Sequence, residues 1–212
     1  MDSKKYYDKL YKESRDEVWN DAPGKKVVIS GVIDLIKNKT NRIIDIGCGN
    51  GNFISEVRNN NPIAKYKQYY YGIDISKEAI LKAEKMYDGV GFRYMDALNL
   101  DYDAQFFDII LSYGVIEHVK EPQKALNSIY KVLKGGGLFM LMLPSLDYYR
   151  NDRTDEGWYE DLDVNRQPQW NYLRKTWEGM FNKAGLILFD VDISKKYGAL
   201  KPGVFFFGEK KR

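Results

Sequence analysis

Between residues 42 and 51 an apolar run, Arg42-Ile43-Ile44, passes into Asp45-Ile46-Gly47-Cys48-Gly49-Asn50-Gly51. No other segment restricts the fold as much. A buried parallel strand that feeds a glycine-rich turn and then a helix presents backbone N–H groups at the positive end of that helix. Glycine is needed there because the chain must reach positive φ and let a ligand come close. The junction therefore points to a nucleotide-like ligand. A dinucleotide fingerprint has the spacing G-x-G-x-x-G. Gly47 and Gly49 fit it, but Asn52 holds the third position and Gly51 comes one residue early. Asp45, two residues before the first glycine, stands close to where a pyrophosphate would sit. It suits a ligand with a positive charge, such as an amino group or a sulfonium.

Helical and strand patterns alternate after residue 25, which is the pattern of an α/β domain with a mainly parallel sheet. Val27, Val28, Val32, Leu35 and Ile36 predict an amphipathic helix over roughly 24–38. Strands follow at 42–46, 69–73, 90–95, 106–112 and 138–143. Between them lie helices carrying Phe53, Ile54 and Val57; Ala79, Ile80, Ala83 and Met86; and Ala125, Leu126, Ile129 and Leu133. Ser76 reads as an N-cap, Pro122 as a helix opening and Gly135 as a helix end. A last helix over about 172–184 ends at Gly185. Strands at 186–193 and 204–208 close an antiparallel hairpin. The expectation is a single domain over 1–212: a Rossmann-like, seven-stranded, mostly parallel sheet with helices on both faces and an antiparallel C-terminal hairpin strand.

Composition narrows the setting. The 33 basic and 30 acidic residues leave a formal charge of +3, too balanced for a strong electrostatic pull toward nucleic acid or membrane. No apolar run approaches the roughly 20 residues that span a bilayer, and the charged N-terminus does not read as a signal peptide. A single cysteine excludes an intrachain disulfide and a multi-cysteine zinc site. The chain reads as cytoplasmic, and no feature sets an oligomeric state.

In a doubly wound sheet, ligands bind beyond the carboxyl ends of the strands. Here the first strand leads into Asp45 and the glycine turn, the second ends at Asp74, the third at Asp96 and the fourth at Ser112-Tyr113-Gly114. A carboxylate at Asp74, roughly 20 residues after the glycines, can accept both hydroxyls of a ribose. The D-x-G-x-G-x-G pattern resembles the first motif of the class I S-adenosylmethionine-dependent methyltransferases. Phe107-Asp108-Ile109-Ile110, Ile116-Glu117-His118-Val119 and Val132-Leu133-Lys134-Gly135-Gly136-Gly137 are similar to the type 11 subgroup, which mostly methylates small molecules and includes ubiquinone-pathway relatives. The resemblance implies that Gly47, Cys48, Gly49 and Gly51 form the turn around the methionine part of the cofactor. Asp45 would hold the turn or the amino group. Asp74 would bind the ribose with Ile75 against the adenine, Asp96 and Ala97 would read the ring, and Ser112 and Tyr113 would border the methyl donor. The product would be S-adenosylhomocysteine.

His118, the single histidine, is either a general base or, with Glu117, a group that orients its loop. Gly114 stands where the metal-binding E-x-x-E-H arrangement of some relatives needs a glutamate, so no metal site is expected. Cys48 reads as a small buried residue. The stretch 145–170 is long for a connection and should cover the acceptor, with Tyr113, Tyr148, Tyr149 and Trp158 as contacts. Its seven acids against three arginines between positions 147 and 166 suit an amine acceptor. Tyr6, Tyr7, Tyr11 and Trp19 predict a helical segment within 1–23 that either lids the cofactor or docks on the outside of the core. The expected function is methyl transfer to nitrogen, oxygen or carbon of a small molecule. Its alternatives are RNA or protein methylation, a non-catalytic cofactor-binding partner subunit, and an NAD-dependent oxidoreductase. The acidic stretch and the missing Asn/Asp-Pro-Pro motif argue against nucleic acid as a partner.

Overall fold

The computed structural model describes residues 3–13, 25–36, 41–62, 69–148, 155–159, 169–193 and 203–212. The chain begins with α1 (Ser3–Lys12) and α2 (Lys25–Leu35), then runs β1 (Arg42–Ile46), α3 (Asn52–Asn60), β2 (Tyr69–Asp74), α4 (Lys77–Met86), β3 (Val90–Tyr94) and β4 (Phe107–Tyr113). After a 3-10 turn at Ile116–His118 come α5 (Pro122–Val132), β5 (Leu133–Pro144), the short strands β6 (Gly157–Tyr159) and β7 (Gln169–Asn171), α6 (Arg174–Ala184), β8 (Leu186–Ile193) and β9 (Gly203–Lys210).

The main sheet has seven strands in the order β3-β2-β1-β4-β5-β9-β8, and β9 alone points opposite to the other six. This is the expected architecture. Alternation along the strands builds two cores. Ile44, Ile46, Ile110, Phe139, Leu141 and Phe206 face α5 and α6. Ile43, Ile109, Leu111, Met140 and Phe205, one position out of step, face α2, α3 and α4. Both faces of β1 and β4 are thus apolar, as in a strand covered by helices on each side. The order reverses between β1 and β4, and the crevice there opens at the carboxyl ends of both strands.

Local details depart from expectation in three places. Gly135 does not cap α5. The helix ends at Val132 and β5 starts at Leu133, whose neighbour across the ladder is Phe107. The Lys210 ammonium donates to the carbonyls of Tyr130 and Leu133 and so satisfies the end that a glycine would otherwise turn away. The last helix starts at Arg174 rather than 172, with Leu173 in its N-cap position. The covering stretch contains the β6–β7 ladder, in which Trp158 pairs with Trp170. That ladder is three residues long on each side, too short to show as alternation. Ser76 caps α4 as expected, accepting from the backbone N–H of Ala79. Trp19, Tyr149, the rest of the 14–24 segment, residues 160–168 and the hairpin link 194–202 lie outside the described residues.

Candidate active site

The register of the central strands assembles the site. Ile46 lies opposite Ile73, so Gly47 and Asp74 leave the sheet side by side. Asp74 in turn lies opposite Tyr94, which carries Met95 and Asp96 to the same edge. Gly72 makes room beneath them, since a side chain there would come within 2.9 Å of the Cys48 sulfur and 2.8 Å of the Phe92 ring.

The N–H groups of the glycine turn are committed to the protein. Gly47 and Cys48 both donate to the Ile73 carbonyl, at 2.8 and 2.9 Å, and Gly51 donates to the Cys48 carbonyl. Gly49 donates to the Asp74 carboxylate at 2.9 Å. A pyrophosphate would need these donors, and the turn has spent three of them on backbone carbonyls and one, that of Gly49, on an acid. Gly47 and Gly49 adopt φ of +76° and +54°. A side chain at Gly47 would overlap Val115, and one at Gly49 would come within 2.3 Å of the Tyr11 hydroxyl.

Around this turn lies a cavity of about 500 Å³. Its floor holds Asp45, Gly47, Cys48, Gly49, Asp74, Ile75, Asp96 and Ala97, eight of the residues expected at a cofactor site. Tyr113 and His118 line it from the β4 side. Gly51 and Ser112 do not reach it. Gly51 caps α3 over the Phe92 ring, and the Ser112 hydroxyl is buried, donating to the Ile46 carbonyl at 3.0 Å. Trp158 is also absent from the wall and packs edge-on against Trp170.

Electrostatics distinguish the acids. Asp74 accepts from Gly49 on one oxygen and from Ser76 on the other, takes a further backbone hydrogen bond from Ile75, and lies on the cavity wall. Burial still lifts its pKa to about 6, against the pull of those hydrogen bonds. Burial, and then the neighbouring Asp74, raises Asp45 to about 8. The Cys48 thiol is pushed well up by burial and by both acids, so it stays protonated. The Tyr113 phenol is raised by burial and by Glu117 and remains a neutral donor at ordinary pH. His118 is 8% exposed, and its Nε2 lies 3.8 Å from a Glu117 carboxylate oxygen.

Several wall residues were not among those expected at the site. Phe53 and Asn52 come from the first turn of α3, Met95 and Leu98 flank Asp96, and Val115 and Val119 flank the 3-10 turn. Helix α1 supplies Lys4, Tyr7, Leu10 and Tyr11 to the cavity. It is tied to α4 through the Asp8 carboxylate, which accepts from the Ser76 hydroxyl at 2.8 Å and from the Glu78 N–H. Two of the acids behind the amine expectation have structural duties instead. Asp147 accepts from Ser145 and from the Arg174 N–H, and Glu156 accepts from the Leu173 N–H and the Thr176 hydroxyl. Both satisfy donors at the start of α6.

The chain matches a family model described as a methyltransferase domain over residues 37–185. It is 32% identical to the ubiquinone biosynthesis O-methyltransferase of Coxiella burnetii over 103 residues, 47% of this chain and 42% of that one. It is 33% identical to the ubiquinone/menaquinone biosynthesis C-methyltransferase of Campylobacter jejuni over 130 residues, 60% of this chain and 52% of that one. The aligned stretches thus span about half the length of these curated relatives or less. Among solved structures, the Burkholderia thailandensis 1,6-didemethyltoxoflavin-N1-methyltransferase, with its substrate and S-adenosylhomocysteine bound, superposes with a TM-score of 0.70 at 17% identity. That superposition covers 96% of this chain and 85% of the other.

Proposed function

The chain belongs to the methyltransferase-domain family, and from that premise we propose that it binds S-adenosylmethionine and transfers a methyl group to a small-molecule acceptor. The observation that carries this reading is the Asp74 carboxylate, seated on the cavity wall by backbone N–H groups of the glycine turn and of Ser76. When bound, the cofactor supplies an electrophilic methyl on a sulfonium. Asp74 accepts the ribose hydroxyls, Ile75 and Leu98 pack on the adenine, and Asp96 accepts from its amino group. Asp45 and the turn at Gly47–Gly49 take the amino-acid end. Helix α1, tied down by Asp8, serves as the lid.

The acceptor half of the cavity is lined by Tyr7, Leu10, Phe53, Tyr113 and Val115, apolar and aromatic side chains that suit a largely apolar acceptor. The relatives, which methylate at oxygen, carbon or nitrogen, carry the names of small-molecule enzymes. Transfer itself asks mainly for in-line positioning and exclusion of water. Tyr113 holds a phenol proton toward the acceptor. His118, backed by Glu117, takes the acceptor's proton where that acceptor is a hydroxyl or a carbon acid.

A thermal-shift panel of S-adenosylmethionine, S-adenosylhomocysteine, NAD and NADP tests the reading. Saturation at about 100 times the dissociation constant adds roughly 2.7 kcal/mol. The two adenosyl ligands should therefore raise the midpoint by on the order of 5–10 °C. A shift with NAD alone, or with none of the four, would overturn it.

A further inference from the structure

The cavity wall around the glycine turn is rich in acids, and the turn itself offers little to an anion. Asp45, Asp74 and Asp96 all lie on that wall. The N–H groups of Gly47, Cys48 and Gly51 are engaged by backbone carbonyls, and that of Gly49 by the Asp74 carboxylate. This side suits an ammonium better than a carboxylate. The other neighbour of the turn is α1. Its Lys4, Asp8 and Tyr11 are spaced i, i+4 and i+7 and so share one face. Each reaches a different strand end. The Lys4 ammonium lies 4.8 Å from the centre of the Tyr94 ring at the end of β3. The Asp8 carboxylate accepts from the Ser76 hydroxyl at 2.8 Å, just beyond β2. Tyr11, 8% exposed, lies on the cavity wall with its hydroxyl against Gly49, 2.3 Å from where a Cβ there would stand. The first two contacts hold the helix, and the third places a phenol O–H at the turn after β1.

We infer that Tyr11 is a cofactor-binding residue: its phenol O–H donates to the α-carboxylate of S-adenosylmethionine, while Asp45 takes the ammonium. The inference deepens the cofactor reading above and rests on it. A carboxylate brought to Gly49 meets the acids of the strand ends on one side and the Tyr11 hydroxyl on the other. The phenol is in place before the ligand arrives, because its ring is buried and its helix is anchored through Lys4 and Asp8. A hydroxyl, unlike a lysine, can donate to the carboxylate without repelling the ammonium beside it. S-Adenosylmethionine and S-adenosylhomocysteine have the same amino-acid end, so Tyr11 holds both. Helix α1 precedes residues 37–185, the stretch matched by the family model, so this recognition comes from the chain's own N-terminal segment.

Calorimetry with S-adenosylmethionine, S-adenosylhomocysteine and decarboxylated S-adenosylmethionine tests the assignment. The third ligand keeps the sulfonium and the amine and lacks only the carboxyl group. A wall of acids alone would favour it, since it has lost a negative charge. The wild type should instead bind S-adenosylmethionine roughly tenfold or more tightly than the decarboxylated form, as a hydrogen bond to a charged group allows. Tyr11→Phe keeps the ring and deletes the donor. It should weaken S-adenosylmethionine and S-adenosylhomocysteine by about tenfold, leave the decarboxylated form within about twofold, and so remove the preference. A role confined to packing would weaken all three ligands alike. Equal weakening of all three, unchanged affinity for S-adenosylmethionine, or no preference in the wild type would each overturn the inference. The wild-type preference decides alone if the variant does not fold. Failure of the wild type to bind either S-adenosylmethionine or S-adenosylhomocysteine would overturn the cofactor reading itself, and this inference with it.

Discussion

The two sides of the cavity are built by different means. Beneath β1, β2 and β3 the wall consists of residues that directly follow strand ends, held by backbone hydrogen bonds at 2.8–2.9 Å. Beyond β4 it is assembled from side chains of α1, α3 and the 3-10 turn, brought together by packing between segments far apart in sequence. A ligand half made by register is rigid and local. An acceptor half made by packing can be changed without disturbing the other. Charge follows the same division, since the acids with raised pKa lie on the strand side.

The largest expected consequence is in the pH dependence of stability. Asp45 and Asp74 ionise in the unfolded chain near their ordinary value of 3.8, but in the folded chain only near 8 and 6. Between those limits the unfolded state binds fewer protons, so stability falls as pH rises. The slope is up to about 1.4 kcal/mol per pH unit for each group. The thermal midpoint of the free protein should drop by several degrees from about pH 5 to pH 8, and Asp45→Asn should flatten the fall. A midpoint rising over this range would remove the acid pair as the distinguishing mark of the strand side.

Next in size is Asp74→Ala. Charge-assisted hydrogen bonds are worth about 1.5–3 kcal/mol each. Losing two to a ribose should therefore weaken S-adenosylmethionine binding by on the order of 100-fold or more by calorimetry. Unchanged affinity would place the cofactor elsewhere in the cavity. Asp8→Ala should have a smaller effect. It removes the acceptor for Ser76 and Glu78 that ties α1 to α4. At about 1 kcal/mol, the loss should speed cofactor dissociation roughly fivefold in a stopped-flow chase. An unaltered rate would mean that α1 is wall and not lid.

The same division explains what the sequence disclosed. Asp45, Gly47, Gly49, Asp74 and Asp96 stand at fixed offsets from strand ends, so recognising the strands places them at one edge. The apolar runs of β1 and β4 and the cap at Ser76 were legible for the same local reason. Ser112 was misplaced toward the ligand because alternation at a strand end decides whether a side chain faces the cavity or a neighbouring carbonyl. Here it faces the Ile46 carbonyl. The Lys210 cap on α5 lies 77 residues from Leu133, beyond any local signal. The acids at 147 and 156 suit an amine acceptor when read in the sequence, and only the three-dimensional placement of the α6 N-terminus shows their use.

The smallest effect probes the packed side directly. Trp170 donates its indole N–H to the Val119 carbonyl at 3.0 Å, immediately after His118. It also stands in a ladder of rings, edge-on to Trp158 and stacked on Tyr172, which meets Trp177 edge-on in the core. The β6–β7 pair therefore fixes the turn that carries His118 from outside the sheet. Trp170→Phe keeps most of the ring and deletes the donor, at a cost of about 1 kcal/mol and a midpoint shift of roughly 2–4 °C. Hydrogen exchange should quicken at residues 116–120 while residues 47–51 keep their protection, and cofactor affinity should not move. If the glycine turn loosened as well, the two sides would be one cooperative unit. The acceptor half could then not vary independently of the strand side.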